Sequence, residues 1–259
     1  MALEVAGSNP AGHPNSPLTI ASSGHARLGS KRTVDWRTMS DDRWDAVDAY
    51  TTALLQPADP VLEAAIRENA ELPNIAVSAA QGQFLSLLAL AIKARRILEV
   101  GTLGGYSAIW MGRALPEDGR LISLELNPQH AEVARRNIAR AGLESKVEVR
   151  VGAALDSLTT LKDEVGEPFD LVFIDADKRN TPEYFSAAVD MSHAGTLIVV
   201  DNVVRQGRLT DSDSDDPDTQ GMRRLIEQMG ADRRLTTTVI QTVGVKGWDG
   251  FAFALVVGT

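Results

Sequence analysis

Three groups of residues in this 259-residue chain have types and spacings that suit chemistry. The first pairs Asp175-Ala176-Asp177-Lys178 with Asp201-Asn202. Asp175 and Asp201 each close a short apolar run, Phe169 to Asp175 and Thr196 to Asp201. Adjacent parallel strands lie about 4.8 Å apart. If these runs are such strands, both carboxylates point into the crevice at the carboxyl edge of the sheet, where ligands bind in open α/β folds. With the Asn202 amide oxygen they make an all-oxygen set carrying two negative charges. That set suits Mg²⁺, Mn²⁺ or Ca²⁺ rather than zinc. The alternative is a pair of strand-end aspartates that cap following helices, although no clear helix start follows Asn202.

The second group is Glu99-Val100-Gly101-Thr102-Leu103-Gly104-Gly105-Tyr106-Ser107, which leaves a strand and opens a helix. Its glycines let the backbone turn sharply and approach a ligand, and the helix start offers free N–H groups to a carboxylate. The spacing departs from GxGxxG and lacks the Gly-Lys-Ser/Thr ending that cradles nucleotide phosphates. The third is Glu125, at the end of the next strand, where an acidic residue can accept both ribose hydroxyls of an adenosine ligand. Glu99 is placed to meet an ammonium. Two carboxylates at one crevice favour a cationic sulfonium ligand over a pyrophosphate.

The elements that must carry these groups follow from the punctuation. Ser40 is a cap for a helix with Trp44, Val47, Tyr50 and Leu54 on one face, and Asp59 before Pro60 starts a second. A third runs from about Ala79 to Ala94. From Arg96 onward strands and helices alternate: strands at Arg96 to Gly101, Leu121 to Leu126, Val147 to Val151, Phe169 to Asp175 and Thr196 to Asp201. Helices are expected at Ser107 to Leu115, at Pro128 to Ala141 between an Asn127 cap and a Gly142 stop, at Pro182 to Met191, and a short one near Asp156. Five βα units imply a doubly wound, Rossmann-like parallel sheet. Leu235 to Val243 and Phe251 to Val257 read as two further strands. The Gly244 to Gly250 connection is too short for a parallel crossover, so they must pair antiparallel. The expected fold is therefore α/β, with a mostly parallel seven-stranded sheet closed by an antiparallel hairpin. The aspartates Asp211, Asp213, Asp215, Asp216 and Asp218 read as a solvated flexible loop. His13, His25, His130 and His193 show no ligand spacing.

Composition narrows the class. Hydrophobic residues make up 44% and charged residues 24%, ordinary values for a globular chain. No apolar run approaches the roughly 20 residues of a membrane span. Residues 1–35, rich in Gly, Ser, Pro and Ala, read as a disordered arm without a secretory apolar core of about 7 to 15 residues. Residues 36–259 then read as one domain, with cap helices over 40–94. The chain has no cysteine, which excludes disulfide frameworks and thiolate sites and makes cytoplasm the default location. The net charge of −9 and the lack of a basic stripe argue against a nucleic-acid partner.

Nearly the whole chain, from about Trp36 to Val257, resembles the cation-dependent O-methyltransferase family, a class I S-adenosylmethionine fold that includes catechol and caffeoyl-coenzyme A O-methyltransferases. The matching pieces are Ala80-Gln81-Gly82-Gln83-Phe84-Leu85, Leu98 through Ser107, Leu115-Pro116-Glu117-Asp118-Gly119, Asp175-Ala176-Asp177-Lys178, Asp201-Asn202-Val203 and Lys246-Gly247-Trp248-Asp249-Gly250-Phe251. The resemblance implies methylation of a hydroxyl on a catechol-like or caffeoyl-type small molecule. It implies Asp175, Asp201 and Asn202 as ligands to Mg²⁺ (or Mn²⁺ or Ca²⁺), and Lys178 as general base with Asp175 beside it. Val77, Glu99, Gly101, Thr102, Ser107, Glu125, Ala153 and Asp175 would line the S-adenosyl-L-methionine pocket, and a homodimer is implied. Asp177 stands where animal catechol enzymes carry an aromatic, as in plant and bacterial relatives. Competing readings are a metal-independent methyltransferase, a module that senses S-adenosylmethionine, and an NAD(P)-dependent oxidoreductase.

Overall fold

The computed structural model describes residues 42–164 and 166–258. The expected arm over 1–35, Trp36 and the Ser40 cap lie outside the described residues. Eight helices of more than one turn are described: α1 (Asp42–Leu55), α2 (Pro60–Glu68), α3 (Ala79–Ala91), α4 (Tyr106–Ala114), α5 (Pro128–Arg140), α6 (Ala154–Glu164), α7 (Thr181–Asp190) and α8 (Pro217–Ala231). The strands are β1 (Arg96–Val100), β2 (Arg120–Glu125), β3 (Val147–Val151), β4 (Phe169–Ile174), β5 (Ser192–Asp201), β6 (Leu235–Gly244) and β7 (Gly247–Val256).

Sequence order explains most of the starts. Asp59 accepts hydrogen bonds from the Val61 and Leu62 N–H groups at 3.0 and 3.1 Å, with Pro60 in the first turn. Ser78 and Gln81 form a reciprocal capping box on α3. Asn127 caps α5, and Gly142 ends it at φ +68°.

The seven strands form one sheet in the order β3-β2-β1-β4-β5-β7-β6. The first five are parallel, and β7 lies antiparallel between β5 and β6. Alternate side chains of the central strands feed two cores. Ile97, Phe173 and Val199 pack with Leu85, Ile109 and Ile138 on one face, from α3, α4 and α5. Leu98, Val172 and Val200 pack with Leu158, Phe185 and Leu225 on the other, from α6, α7 and α8. Strands covered on both sides need apolar residues at nearly every position, which is why their runs are continuous.

Several boundaries differ from the sequence expectation, β5 among them, which begins at Ser192 and not at Thr196. The hairpin turn is only Val245-Lys246, because Gly244 and Gly247 through Gly250 belong to the paired strands. Gly250 is required there by packing: a Cβ would come within 2.8 Å of Val204 Cγ2. The helix near Asp156 extends over Ala154–Glu164. The acidic segment is not a wholly flexible loop. Irregular turns with left-handed residues at Arg205, Gln206 and Gly207 span Arg205–Thr210, and Asp216 caps α8 through the Asp218 and Thr219 N–H groups.

Candidate active site

A cavity of about 730 Å³ opens at the carboxyl ends of β1, β2 and β4. Its size is that of a small-molecule site. Gly101 makes the junction between β1 and β4 possible. It adopts φ +104°, and a Cβ there would press into the Asp175 carbonyl, with its carbon at 2.7 Å. Asp175 N–H donates to the Val100 carbonyl at 2.8 Å, which fixes the strand end beside the glycine loop.

Glu125 braces that loop. Its Oε2 accepts from the Thr102 and Leu103 N–H groups at 3.2 and 2.8 Å, and its Oε1 accepts from Asn127 N–H at 2.9 Å. Each carboxylate oxygen has further lone pairs to offer a ligand. Glu99 is fully buried beneath the loop and does not line the cavity. One of its oxygens accepts from the Ser107 hydroxyl and the other from the Ser123 hydroxyl at 2.5 Å. Burial above all pushes the Glu99 carboxyl up to about 7, against the pull of the two serines.

Across the cavity, Asp175 directly follows β4 and Lys178 opens the 3₁₀ turn Lys178–Asn180. Lys178, 8% exposed, donates from Nζ to Asp175 Oδ1 at 2.8 Å. Asp201, 2% exposed at the end of β5, accepts from the Asn202 N–H and amide group through Oδ1. Burial and then the neighbouring Asp175 charge push its carboxyl well above the usual range. Asn202 takes a left-handed φ of +59° and lines the cavity, with Asp201 behind it. Among the described residues no three His, Cys, Asp or Glu side chains cluster as a metal site would. The expected ligand set contains two carboxylates and an amide.

Of the residues singled out in the sequence, Val77, Gly101, Thr102, Ser107, Glu125, Ala153, Asp175, Lys178 and Asn202 line this cavity, while Glu99 and Asp201 stand behind its wall.

The profile of the O-methyltransferase family matches residues 55–253. A catechol O-methyltransferase of Mycobacterium tuberculosis is 55% identical over 212 residues, 81% of this chain and 94% of its own length. Among solved structures, an O-methyltransferase from Bacillus cereus in complex with SAH superposes with a TM-score of 0.83 at 50% identity, covering 84% of this chain and all of that one. The O-methyltransferase TomG from Streptomyces achromogenes, involved in tomaymycin synthesis and solved in complex with SAM, gives 0.83 at 50% identity over 85% of this chain and 100% of its own. This chain belongs to the O-methyltransferase family. It is an S-adenosylmethionine-dependent enzyme of that family, which sets the nicotinamide-oxidoreductase alternative aside.

Residues to which the sequence assigned no role also shape the O-methyltransferase site. His130 lines the cavity with Nδ1 3.4 Å from Glu125 Oε1, a contact made across a loop and invisible to ligand spacing. Asn137, fully buried on α5, donates to the Gly104 carbonyl at 2.9 Å and holds the glycine loop from behind. Asp177 accepts from the Tyr184 hydroxyl at 2.5 Å and from Asn180 at 2.6 Å, fastening the Lys178 turn. Tyr184 is both buried and cavity-lining. Trp248 packs on Gly207 and donates to Gln241 at 2.9 Å, so it fills the space between hairpin and loop. Arg205 also lines the cavity, at a left-handed φ of +52°.

Proposed function

We propose that this O-methyltransferase methylates a hydroxyl of a catechol-like or caffeoyl-type phenol, with a divalent cation held by Asp175, Asp201 and Asn202. The observation that carries this reading is the convergence of Asp175, Lys178 and Asn202 on one wall of the cavity that Glu125 and the glycine loop also line. The catechol name of relatives at 50 to 55% identity supports the acceptor class.

The residues fit a cation. All three donors are oxygens, as Mg²⁺, Mn²⁺ and Ca²⁺ require. Asp201 is buried beside the Asp175 charge, and a divalent cation held by these residues would relieve that repulsion. When bound, the cation supplies positive charge that favours the oxyanion of the acceptor. Lys178 accepts the hydroxyl proton at Nζ, and Asp175 orients that nitrogen from 2.8 Å. On the donor side, Glu125 accepts the ribose hydroxyls while it stays bonded to the loop, and the start of α4 at Tyr106 and Ser107 receives the methionine carboxylate. Val77, Gly101, Thr102 and Ala153 shape the remaining wall, and Glu99 holds Ser107 from beneath. Transfer joins an oxyanion to a sulfonium methyl and disperses charge, so orientation and exclusion of water are the main contributions of these residues.

The decisive assay is methyl transfer from S-adenosylmethionine to a panel of catechols and caffeoyl esters, with Mg²⁺ or with EDTA. Turnover should vanish with EDTA and return with Mg²⁺; turnover indifferent to the chelator would favour a metal-independent transferase. Lys178→Ala should lower kcat by about 10²-fold or more with cofactor binding intact. We further propose a single catalytic domain over 36–259 behind an N-terminal arm, a cytoplasmic location and a homodimer.

A further inference from the structure

We infer that α8 is the element that positions Lys178, with Gly221 and Arg224 as positioning residues for the transfer step. The inference rests on Lys178 being the base proposed above. Three positions on one face of α8, spaced three apart, hold the turn that carries this lysine. Asp218 pairs with Arg179 Nε at 3.3 Å. Gly221 is buried against the turn itself. A Cβ there would lie 2.7 Å from Arg179 Cα and 2.9 Å from the Lys178 carbonyl carbon, and closer still to the carbonyl oxygen. No side chain fits, so the helix backbone rests directly on the backbone of the lysine. Arg224 donates from Nη2 to the Arg179 carbonyl at 2.9 Å.

The same helix holds the opposite lip of the cavity. Arg205 faces Asp216 and Asp218 at 3.6 and 3.8 Å, and Arg223 donates to the Leu209 carbonyl at 2.8 Å. One rigid helix thereby sets the separation between the Lys178 turn after β4 and the loop after β5. Gly221 and Arg224 do not line the cavity, so each acts through Lys178 and not on the substrates. A displacement of about 1 Å in a reacting group can cost on the order of 10²-fold in rate. A methyl inserted at Gly221 must move rigid backbone by a comparable amount.

The test is steady-state kinetics of the full chain with S-adenosylmethionine and its best catechol. Gly221→Ala should lower kcat by about 10- to 100-fold, leaving the KM for S-adenosylmethionine within about twofold. Gly230→Ala, on the same helix but with open space around the new Cβ, should leave kcat unchanged. Arg224→Ala, at an exposed position that tolerates truncation, should lose a smaller part of kcat, and Arg224→Lys should restore some of it. In a Lys178→Ala background Gly221→Ala should cost nothing further, because both changes act through one group. An undiminished loss in that background, or full kcat in Gly221→Ala, overturns the positioning role. A Lys178→Ala enzyme that keeps its turnover instead overturns the base assignment itself.

Discussion

Glu99 shows how much chemistry a single buried carboxylate holds in reserve. Its carboxyl is pushed from 4.5 up to about 7, because burial penalises the charge more than Ser107 and Ser123 support it. Below the unfolded value both states are protonated and the native state bears no cost. As pH rises through 7, folding must bury a charge that the unfolded chain keeps in water. Glu99→Gln keeps the shape and can still bond both serines. The variant should therefore exceed the wild type in stability by about 3 kcal/mol at pH 8, with the difference closing between pH 7 and 4.5. It should also bind S-adenosylmethionine more weakly, a stability gain at the expense of function. Urea denaturation of both proteins at pH 5 and pH 8, with calorimetric cofactor titrations, checks this; equal stabilities at pH 8 would show that Ser107 and Ser123 fully offset the burial of the Glu99 charge. The sequence exposed Glu99, Glu125, Asp175 and Asp201 because each lies at or beside the carboxyl end of a strand, at one sheet edge. It did not separate those that face the cavity from those behind it, since that depends on which hydroxyls the fold brings near. Ser123, which takes half of the Glu99 carboxylate, lies on a neighbouring strand and has no local mark.

At the scale of elements, caps decided what was legible. Asp59-Pro60 and Asp216-Pro217 are the same signal, an acidic cap followed by proline in the first helical turn. The first was readable because an ordinary helical pattern follows it. The second was masked by Asp211, Asp213 and Asp215, whose density reads as a solvated loop, and by the left-handed Gln206 and Gly207 upstream. What orders the segment is tertiary: Met222, Leu225 and Met229 bury against the sheet, and arginines from two other loops neutralise Asp216 and Asp218. Asp59 offers the cleaner experiment, because it lies far from α8 in the chain. Its hydrogen-bonded partner Arg113, together with the Leu62 and Val61 N–H groups, holds its carboxyl below 3.8. Its stabilising contribution is full above the unfolded value and is lost as pH falls through the lowered native one. Asp59→Ala should cost about 1 kcal/mol at pH 7, seen as a lower melting temperature, and less below pH 3. A penalty that persists unchanged into acid would mean that the carboxylate is not what caps α2.

At the scale of the whole molecule, one face of the described residues carries exposed apolar side chains on two neighbouring elements. Val47, Tyr50, Leu54 and Leu55 of α1 are exposed, Tyr50 by 68% and Leu54 by 66%, as are Ile240, Val243 and Val245 at the free edge of the sheet. The two sets are neighbours, because Asp48 on α1 accepts from Val245 N–H at 2.9 Å. The sequence did place Val47, Tyr50 and Leu54 on one helical face. It gave no sign that this face would point away from the core, since an amphipathic period says only that one side is apolar. An edge strand beside an apolar helix presents unpaired backbone groups and apolar area together, a combination that folded proteins cover. The occupant most consistent with the family resemblance is a second copy, because a twofold axis pairs the same patch with itself. A stable pairing needs on the order of 1,200–2,000 Å² in total, so it would draw on α1 and β6 together. Light scattering should therefore return twice 27.8 kDa for the wild type. Tyr50→Lys with Leu54→Lys should shift it to a single copy while the cofactor site, on the carboxyl edge of the parallel strands, still binds S-adenosylmethionine. A wild-type mass of one copy at tens of micromolar would remove the dimer and leave the patch to another partner.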